Sequence, residues 1–411
     1  TKRYKINLKP DNFSASKSIT WMEVSKDKKS EAGVIVAELP RKQSKYFQYT
    51  YTKPADYTES NTRINDTLSA DSVNKVVFKT SDGSAIYNTK DNSSVNITAD
   101  FIGNSASLSS MISNRGFIGN ISGNFMGNFG QAIYNSSNGT AIIGDITGDF
   151  IGNYASGKGG AIFNNLGTIG NITGNFIGNY VFNANAIGGA IYNSGIIGDI
   201  TGDFIGNYSS DSVGGAIFND YDSSIGNIIG DFIGNHSKAY GGAINNSGRT
   251  AIGNITGDFI GNYASYDVGS ANGGAIDNIG TIGNITGDFI GNYTLGSYSV
   301  QGGAIYNSGT IGDITGNFLS NYVQYLSKYS KLTLGGAVYS NANLSFTAKG
   351  KQRFFSGNYT NDQTRGKNYN ALFVQSVTDL ASAPVIAFDT TGGGAWVVND
   401  SIEGGYASST D

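Results

Sequence analysis

A repeat spaced 26 to 33 residues apart occupies most of this 411-residue chain and constrains its fold more than any other feature. A clear copy at residues 159–180 has the sequence GGAIFNNLGTIGNITGNFIGNY, and related copies recur from about residue 83 to residue 325. A period in this range is typical of repeat architectures, in which a unit buries its apolar face only when neighbours stack on it. The copies align on the alanine of Gly-Gly-Ala-Ile, at Ala85, Ala132, Ala161, Ala190, Ala216, Ala243, Ala275, Ala304 and Ala337.

Each copy contains three short apolar pieces, A-I-(Y/F)-N, I-G-(N/D)-I and G-(N/D)-F-I-G-N, separated by glycine or polar residues. No piece has the length or spacing of a helix, and the 59 glycines recur at fixed offsets as punctuation. The pattern predicts an all-β parallel β-helix, or β-solenoid, with about three short strands per turn. Nine to eleven turns at about 4.8 Å each would give a rod roughly 45 to 55 Å long.

Three regions follow from where the repeat starts and fades. Residues 1–80 contain no copy and are predicted to form an N-terminal β-rich cap, residues 81–325 the regular repeats, and residues 326–411 degenerate rungs with a C-terminal cap. Their net charges are +6, −11 and +1. A nucleic-acid partner is not expected, because a phosphate-binding surface needs lysine and arginine along it. The chain has no cysteine, so no disulfide framework is available.

In-register stacking would place equivalent residues in columns along the rod. The isoleucine of A-I-(Y/F)-N and the phenylalanine of F-I-G-N are predicted to face the interior. An asparagine amide can donate to one neighbouring turn and accept from the other, so the last residue of F-I-G-N is predicted to form a structural ladder. The ladder residues are Asn153, Asn179, Asn207, Asn235, Asn262 and Asn292.

The largest length variation lies in the segment between F-I-G-N and the next Gly-Gly, so the insertions are expected along one edge of the rod. In solenoids such an edge often carries recognition. Tyrosine offers a large amphipathic contact area at little entropic cost, so the tyrosines there are candidates for recognition, with shielding of the rod's corner as the alternative. These residues are Tyr154, Tyr180, Tyr208, Tyr240, Tyr263, Tyr266, Tyr293 and Tyr298.

Carboxylates are the remaining candidates for chemistry. Four consecutive copies place aspartates in one column, at Asp203, Asp231, Asp258 and Asp288. Calcium accepts such oxygen ligands, so the column is a candidate cation site, although a solvated column explains it as well. His236 is the only histidine and the chain has no cysteine, so neither a histidine-based catalytic triad nor a zinc site is expected. No catalytic residue and no other cofactor are expected.

The alternation of G-G-A-(I/V) with F-x-x-N from Gly83 to about Tyr359 resembles the repeats of polymorphic outer-membrane proteins and related bacterial autotransporter adhesins. The sequence GGGAWVVNDSI at residues 392–402 also resembles the stretch that follows such repeats. The resemblance implies a right-handed β-helix that is displayed at the bacterial cell surface, and outer-membrane-associated if a translocator follows in the full-length gene. Since the sequence starts at Thr1 without a signal peptide, we expect it to be a processed or excised segment.

The function expected from these features is that of an extracellular, non-enzymatic adhesin or surface-display protein. Its partner would be a protein or glycan on a host or neighbouring cell. An alternative is a structural protein that assembles through its end rungs into filaments or a surface layer. A third is a polysaccharide-active β-helix enzyme, which the regular spacing of the carboxylates disfavours because acid and base roles need unlike environments.

Overall fold

Parallel sheets stack the chain into a β-solenoid of about 11 turns. The computed structural model describes residues 19–23, 34–38, 45–51, 53–65, 68–69, 71–81, 83–89, 95–136, 140–326, 332–362, 366–375 and 384–404. Over these ranges the one helical element is a short 3-10 turn, Asp71–Val73. The predicted all-β solenoid is therefore confirmed. None of the described segments forms a helix long and apolar enough to cross a membrane.

Three principal sheets run along the rod, and a regular turn such as residues 162–187 contributes five short strands to them. The first sheet contains two strand types. Its A-I-x-N strands are Ile64–Asn65, Ile86–Asn88, Ser105–Asn114, Phe129–Ser136, Ile162–Asn165, Ile191–Asn193, Ile217–Asn219, Ile244–Asn246, Ile276–Asn278, Ile305–Asn307, Val338–Ser340, Asn370–Val374 and Ser401–Gly404. Its second type starts one residue after F-I-G-N, at Tyr154–Lys158, Tyr180–Ile187, Tyr208–Ser209, His236–Ser237, Tyr263–Tyr266, Tyr293–Gly296, Tyr322–Tyr325 and Tyr359–Asp362, with Gly366–Asn368 antiparallel to the last.

The second sheet begins with Thr58–Ser60, Asn74–Phe78 and Ile97–Ile102. It continues with the strands Ile121–Ser122, Ile146–Thr147, Ile172–Thr173, Ile200–Thr201, Ile228–Ile229, Ile255–Thr256, Ile285–Thr286, Asp313–Thr315, Leu344–Thr347 and Ile386–Asp389. Beside them lie Phe125–Met126, Phe150–Ile151, Phe176–Ile177, Phe204–Ile205, Phe232–Ile233, Phe259–Ile260, Phe289–Ile290, Phe318–Leu319, Gln352–Ser356 and Ala395–Val398. Each regular turn thus crosses this sheet twice.

The third sheet is the narrowest, and each turn contributes one two-residue strand to it. Its strands are Phe117–Ile118, Ile142–Ile143, Thr168–Ile169, Ile196–Ile197, Ser224–Ile225, Ala251–Ile252, Thr281–Ile282 and Thr310–Ile311. Two small sheets lie apart from these three. One is parallel, with strands Ala271–Asn272, Ser299–Gln301 and Leu332–Leu334, and the other is antiparallel, with strands Ile19–Glu23, Val34–Glu38 and Lys45–Thr50.

In-register pairing places each recurring apolar residue over its counterpart in the next turn. Phe150 pairs with Phe176, and Phe176 with Phe204. Their ring centroids are 4.8 and 4.7 Å apart, with planes 1° and 2° from parallel. These phenylalanines and the isoleucines of A-I-x-N, such as Ile162, are 0% exposed. Both predicted interior columns are confirmed, and burial of each phenylalanine contributes about 1.5–3 kcal/mol.

Strand pairing is more continuous than the repeat motifs. The interval between Ala85 and Ala132 contains one further turn, in which residues 111–114 (Met-Ile-Ser-Asn) replace A-I-x-N and pair on both sides. Parallel pairing also starts before residue 81, because Thr58–Ser60 pairs with Asn74–Phe78. Of the expected cap, residues 1–18, 24–33 and 39–44 lie outside the described residues. Beyond residue 326, parallel strands continue the ladder as far as residue 404.

Candidate binding surface

The asparagine that closes each F-I-G-N piece lies in a buried ladder. Asn179 donates from Nδ2 to Oδ1 of Asn207 at 3.0 Å and to the carbonyl of Phe150 at 2.8 Å. Its own Oδ1 accepts from the backbone N–H and the Nδ2 of Asn153, at 3.0 and 2.9 Å. The same side-chain bonds join Asn153, Asn179, Asn207, Asn235, Asn262 and Asn292, all fully buried. The ladder holds neighbouring turns in register, since a slip would leave buried amides without partners.

A second asparagine ladder, not anticipated from the sequence, follows the A-I-x-N strands. Asn164 donates from Nδ2 to Oδ1 of Asn193 at 2.8 Å, and also to the carbonyls of Gly167 and Ile196. The signal was present, because asparagine ends nearly every A-I-x-N piece. The ladder runs through Asn88, Asn114, Asn135, Asn164, Asn193, Asn219, Asn246, Asn278 and Asn307.

The aspartate column is partly buried, and its carboxylates bond to the backbone of the following turn. The N–H of Asp231 donates to Oδ1 of Asp203, that of Asp258 to Asp231, and that of Asp288 to Asp258, each at 2.8 Å. Hydrogen bonds to a carboxylate are stronger than neutral ones, so the column helps to fix the register. Arg353 Nη1 lies 3.8 Å from Oδ1 of Asp288.

Metal binding by this column stays a prediction. Over the described ranges, no group of three or more histidine, aspartate or glutamate side chains is arranged to hold a metal ion. Two unit charges about 4.8 Å apart, one strand spacing, still repel by about 3.5 kcal/mol at an effective dielectric of 20. The backbone N–H donors offset part of this repulsion.

Each insertion leaves the rod at the tyrosine strand and returns at Gly-Gly, and we call it a lobe. A Cβ on Gly189 would lie 2.0 Å from the carbonyl oxygen of Gly215 and 2.6 Å from the backbone nitrogen of Tyr208. The preceding Gly188 has φ +66°, a conformation that favours glycine. The glycine pair therefore closes the base of the lobe, so that lobe length can vary without disturbing the rod.

The lobes stack on one another and have small apolar cores of their own. Ala155, Val181 and Ala186 form one such cluster. A second cluster consists of Ala264, Ala271, Val300 and Val323. An ion pair of 2.8 Å between Lys238 Nζ and Asp211 Oδ1 joins two successive lobes. The lobes are thus ordered extensions of the first sheet.

The tyrosines at the start of the lobes form a stack that we call the tyrosine column. Tyr263 and Tyr293 lie 4.7 Å apart at 7°, and Tyr293 and Tyr322 lie 4.9 Å apart at 5°. His236 takes one position in this stack, 4.8 Å from Tyr208 and 3.8 Å from Tyr263. The column comprises Phe129, Tyr154, Tyr180, Tyr208, His236, Tyr263, Tyr293, Tyr322 and Tyr359.

The candidate recognition tyrosines differ in exposure. Tyr298 is 54% exposed and Tyr208 only 8%. The other six, Tyr154, Tyr180, Tyr240, Tyr263, Tyr266 and Tyr293, are partly buried. Burial raises the pKa of Tyr154, Tyr240 and Tyr293 above the ordinary value for tyrosine, and that of Tyr322 to about 12. These phenols stay neutral at physiological pH, with part of each ring covering the rod and part facing solvent.

A second stack on the same sheet, the outer aromatic column, occupies the variable position of A-I-x-N. Its members are Tyr87, Tyr134, Phe163, Tyr192, Phe218, Tyr306, Tyr339 and Phe373. Neighbouring rings are 5.0 to 5.6 Å apart. Lys158 Nζ lies 4.2 Å from the ring centroid of Tyr192 and 3.1 Å from its hydroxyl oxygen. Over the described ranges, the aromatic run between Tyr87 and Phe373 is interrupted at two places. The first is at Ser113, and the second is at the successive positions Asn245 and Asp277.

The interruption at Asp277 is closed. Asp277 and Asn245 are 3% and 4% exposed, and Oδ1 of Asp277 has no hydrogen-bond partner among the described residues. Burial raises the pKa of Asp277 to about 8. Burial and the nearby Asp277 also raise the pKa of Tyr240, and that of Tyr306 to about 12.

The interruption at Ser113 is an open cleft of about 320 Å³. Tyr87 and Tyr134 bound it along the column, and Arg115 and Gln131 contribute polar side chains. Neither this cleft nor the outer aromatic column was anticipated from the sequence. Aligning Met-Ile-Ser-Asn with A-I-x-N would have shown the missing ring.

No protein-family model, curated protein or solved structure matches this chain.

Proposed function

We propose that this chain is an extracellular, surface-displayed bacterial β-solenoid with a non-enzymatic role in adhesion or surface display. The observation that carries the proposal is the first sheet, whose outer side bears both aromatic columns along the rod. Partly exposed tyrosine rings present ring edges and hydroxyl groups while already held in place by stacking. Binding through them costs little side-chain entropy, which suits recognition of proteins or glycans on a host or neighbouring cell.

The placement of the polar side chains supports a scaffold more than a catalyst. In both asparagine ladders and in the aspartate column, the side-chain oxygens accept hydrogen bonds from a neighbouring turn. An acid and base pair needs two carboxylates in unlike surroundings, whereas Asp231 and Asp258 have the same surroundings one turn apart. The non-enzymatic part of the proposal rests on this equivalence.

The proposal is tested by binding of the purified chain to arrays of surface glycans and extracellular-matrix proteins and to whole cells. In the test variant, Tyr154, Tyr180 and Tyr263 are changed to leucine, which keeps apolar cover but removes ring and hydroxyl. The matched control changes the exposed Thr173, Thr201 and Thr256 of the second sheet to serine.

Binding by the wild type and the control, with at least a tenfold loss in the leucine variant at unchanged circular dichroism, is the expected result. Absence of binding to every array and cell, or equal binding by both variants, contradicts the proposal.

A second function, assembly into filaments or a surface layer, is favoured by the end of the ladder. The last strands, Ile386–Asp389, Ala395–Val398 and Ser401–Gly404, each pair on one side only within the described residues. Val385 and Ile402 beside them are 63% and 49% exposed. Open strand edges of this kind can add another chain. Size-exclusion chromatography with negative-stain microscopy distinguishes the two functions. A surface-displayed protein should give rods of one length, whereas a self-assembling protein should give long fibres.

A further inference from the structure

The outer aromatic column has one open gap where a ring is missing. Tyr87 pairs in register with Ser113, and Ser113 with Tyr134, so these two tyrosines are two turns apart with only a serine between them. The other interruption, at Asn245 and Asp277, is filled by side chains longer than serine, which are 4% and 3% exposed. The Ser113 gap coincides with a cleft of about 320 Å³, which extends along the column as far as Phe163.

The gap has the dimensions of one ring. Two steps of the ~4.8 Å strand spacing place the two bounding tyrosines about 9.6 Å apart along the rod. A ring inserted halfway would lie about 4.8 Å from each, in the place that a side-chain ring takes in the other turns. Elsewhere in the column, Tyr306 and Tyr339 lie at a similar 5.1 Å. The missing ring can therefore be replaced by a ring of a ligand.

The polar side chains of the cleft indicate which kind of ring. Ser110, Ser113 and Gln131 line it with hydroxyl and amide groups, which match the hydroxyls of a sugar better than the bare edge of an arene. Ser110 and Ser113 are 1% and 5% exposed and form the floor of the cleft. Gln131 is only partly buried, and because its Nε2 donates to the carbonyl of Lys158, its Oε1 is oriented to accept from a ligand hydroxyl.

Charge adds a second criterion. Arg115 is exposed at the cleft, and its Cζ lies 5.7 Å from the ring centroid of Tyr87. It is one of only five basic residues between positions 81 and 325, a region with net charge −11. A guanidinium binds a carboxylate through two parallel hydrogen bonds, so an anionic ligand fits this position best.

We propose that the Ser113 cleft binds one pyranose ring that carries a carboxylate, as in a hexuronic acid. The ring packs between Tyr87 and Tyr134, its hydroxyls meet Gln131, and its carboxylate faces Arg115. The inference rests on the proposed function, since it names the chemistry of a glycan that a surface-displayed rod would recognise.

The test uses saturation-transfer NMR on the whole chain with three probes, namely methyl glucuronide, methyl glucoside and phenylacetate. Ser113→Tyr supplies the missing ring and fills the gap. Arg115→Gln removes the charge and leaves the gap open. Ser122→Tyr is the matched control, because Ser122 is exposed on the second sheet and lies outside the cleft. Circular dichroism and melting temperature check that each variant is folded.

Saturation transfer to the glucuronide ring protons is expected in wild type and Ser122→Tyr, with glucoside at least fivefold weaker. Ser113→Tyr should lose the signal, and Arg115→Gln should reduce glucuronide to the level of glucoside. No signal from any probe, a glucuronide signal that persists in folded Ser113→Tyr, or binding of phenylacetate alone overturns the proposal.

Cell and array binding of the wild type, measured in parallel, separates this inference from the proposed function. Array binding without glucuronide transfer overturns only the cleft assignment. Glucuronide transfer without binding to any cell or array overturns only the role in adhesion.

Discussion

At the residue scale, asparagine does most to fix the register of this rod. The ladder through Asn179 was predictable, because the residue recurs at one position and an amide can both donate and accept. The ladder through Asn164 carries an equally regular signal, but the sequence does not show that its amide reaches two carbonyls as well as the next asparagine. Asp277 was not predictable, because burial of a single aspartate depends on how neighbouring side chains such as Tyr240 and Tyr306 cover it.

Changing Asn179 to alanine should destabilise the rod strongly. It removes four hydrogen bonds and leaves the Nδ2 of Asn153 and the Oδ1 of Asn207 each short of one partner in a fully buried position. Each unsatisfied buried group costs about 1–3 kcal/mol, so a loss of about 3 kcal/mol or more is expected in urea denaturation. Asn171→Ala, at an exposed asparagine that accepts one backbone N–H, is the control and should cost about 1 kcal/mol. Equal losses would show that burial of the ladder does not matter.

Asp277 should make the stability of the rod depend on pH. Its pKa is raised from 3.8 to about 8, so between these values the folded chain keeps a proton that the unfolded chain has lost. The free energy of unfolding should therefore fall as pH rises through this window, by up to about 1.4 kcal/mol per pH unit, and level off above it. Asp277→Asn should remove this slope, whereas Asp222→Asn, at an exposed aspartate, should keep it. Denaturation curves from pH 4 to 9 measure it, and parallel curves for wild type and Asp277→Asn would contradict the assignment.

At the element scale, the glycine pair decides where the rod ends and a lobe begins. The sequence correctly places the longest insertions between F-I-G-N and Gly-Gly. Shorter differences in length also follow the A-I-x-N strands, since four residues separate Ile217–Asn219 from Ser224–Ile225 but two separate Ile191–Asn193 from Ile196–Ile197. The sequence does not reveal the small apolar cores of the lobes, such as Ala155, Val181 and Ala186, because lobe sequences do not repeat and their contacts run between turns. The sequence also does not resolve Ile172–Thr173 and Phe176–Ile177 as separate strands, because a two-residue strand has no periodicity to detect.

Gly189→Ala should be among the most damaging small substitutions in the chain. The added methyl would lie 2.0 Å from the carbonyl oxygen of Gly215, which is a backbone atom of a paired turn and cannot easily move away. A loss above about 4 kcal/mol is expected, in the range of large steric effects. Gly234→Ala is the control, since Gly234 has φ +61° with nothing within 4 Å, and should cost only about 1–2 kcal/mol. Equal urea midpoints for the two variants would show that the close approach of backbones at Gly189 does not explain why glycine is needed there.

At the scale of the whole molecule, about 11 turns form one continuous ladder. At about 4.8 Å per turn the rod is about 50 Å long, within the range predicted from the repeat count. The turn at residues 111–114 escaped the sequence alignment because methionine there replaces alanine, and the earliest turns because their strands carry no repeat motif. Stacking geometry tolerates such replacements as long as an apolar residue faces the core, so pairing continues where the motif does not.

The central claim is that each turn is an exchangeable unit, held to its neighbours by stacked rings, asparagine ladders and backbone pairing. Deleting residues 243–303 tests it most directly, because this joins Gly242 to Ala304 and removes two turns in register. Phe218 would then pair with Tyr306, so that two aromatic rings adjoin, and Asn235 would pair with Asn321, so that the asparagine ladder continues. Small-angle X-ray scattering should show a folded rod shorter by about 10 Å, two strand spacings, with an unchanged cross-section. An unfolded or aggregated chain, or a rod of undiminished length, would contradict the account.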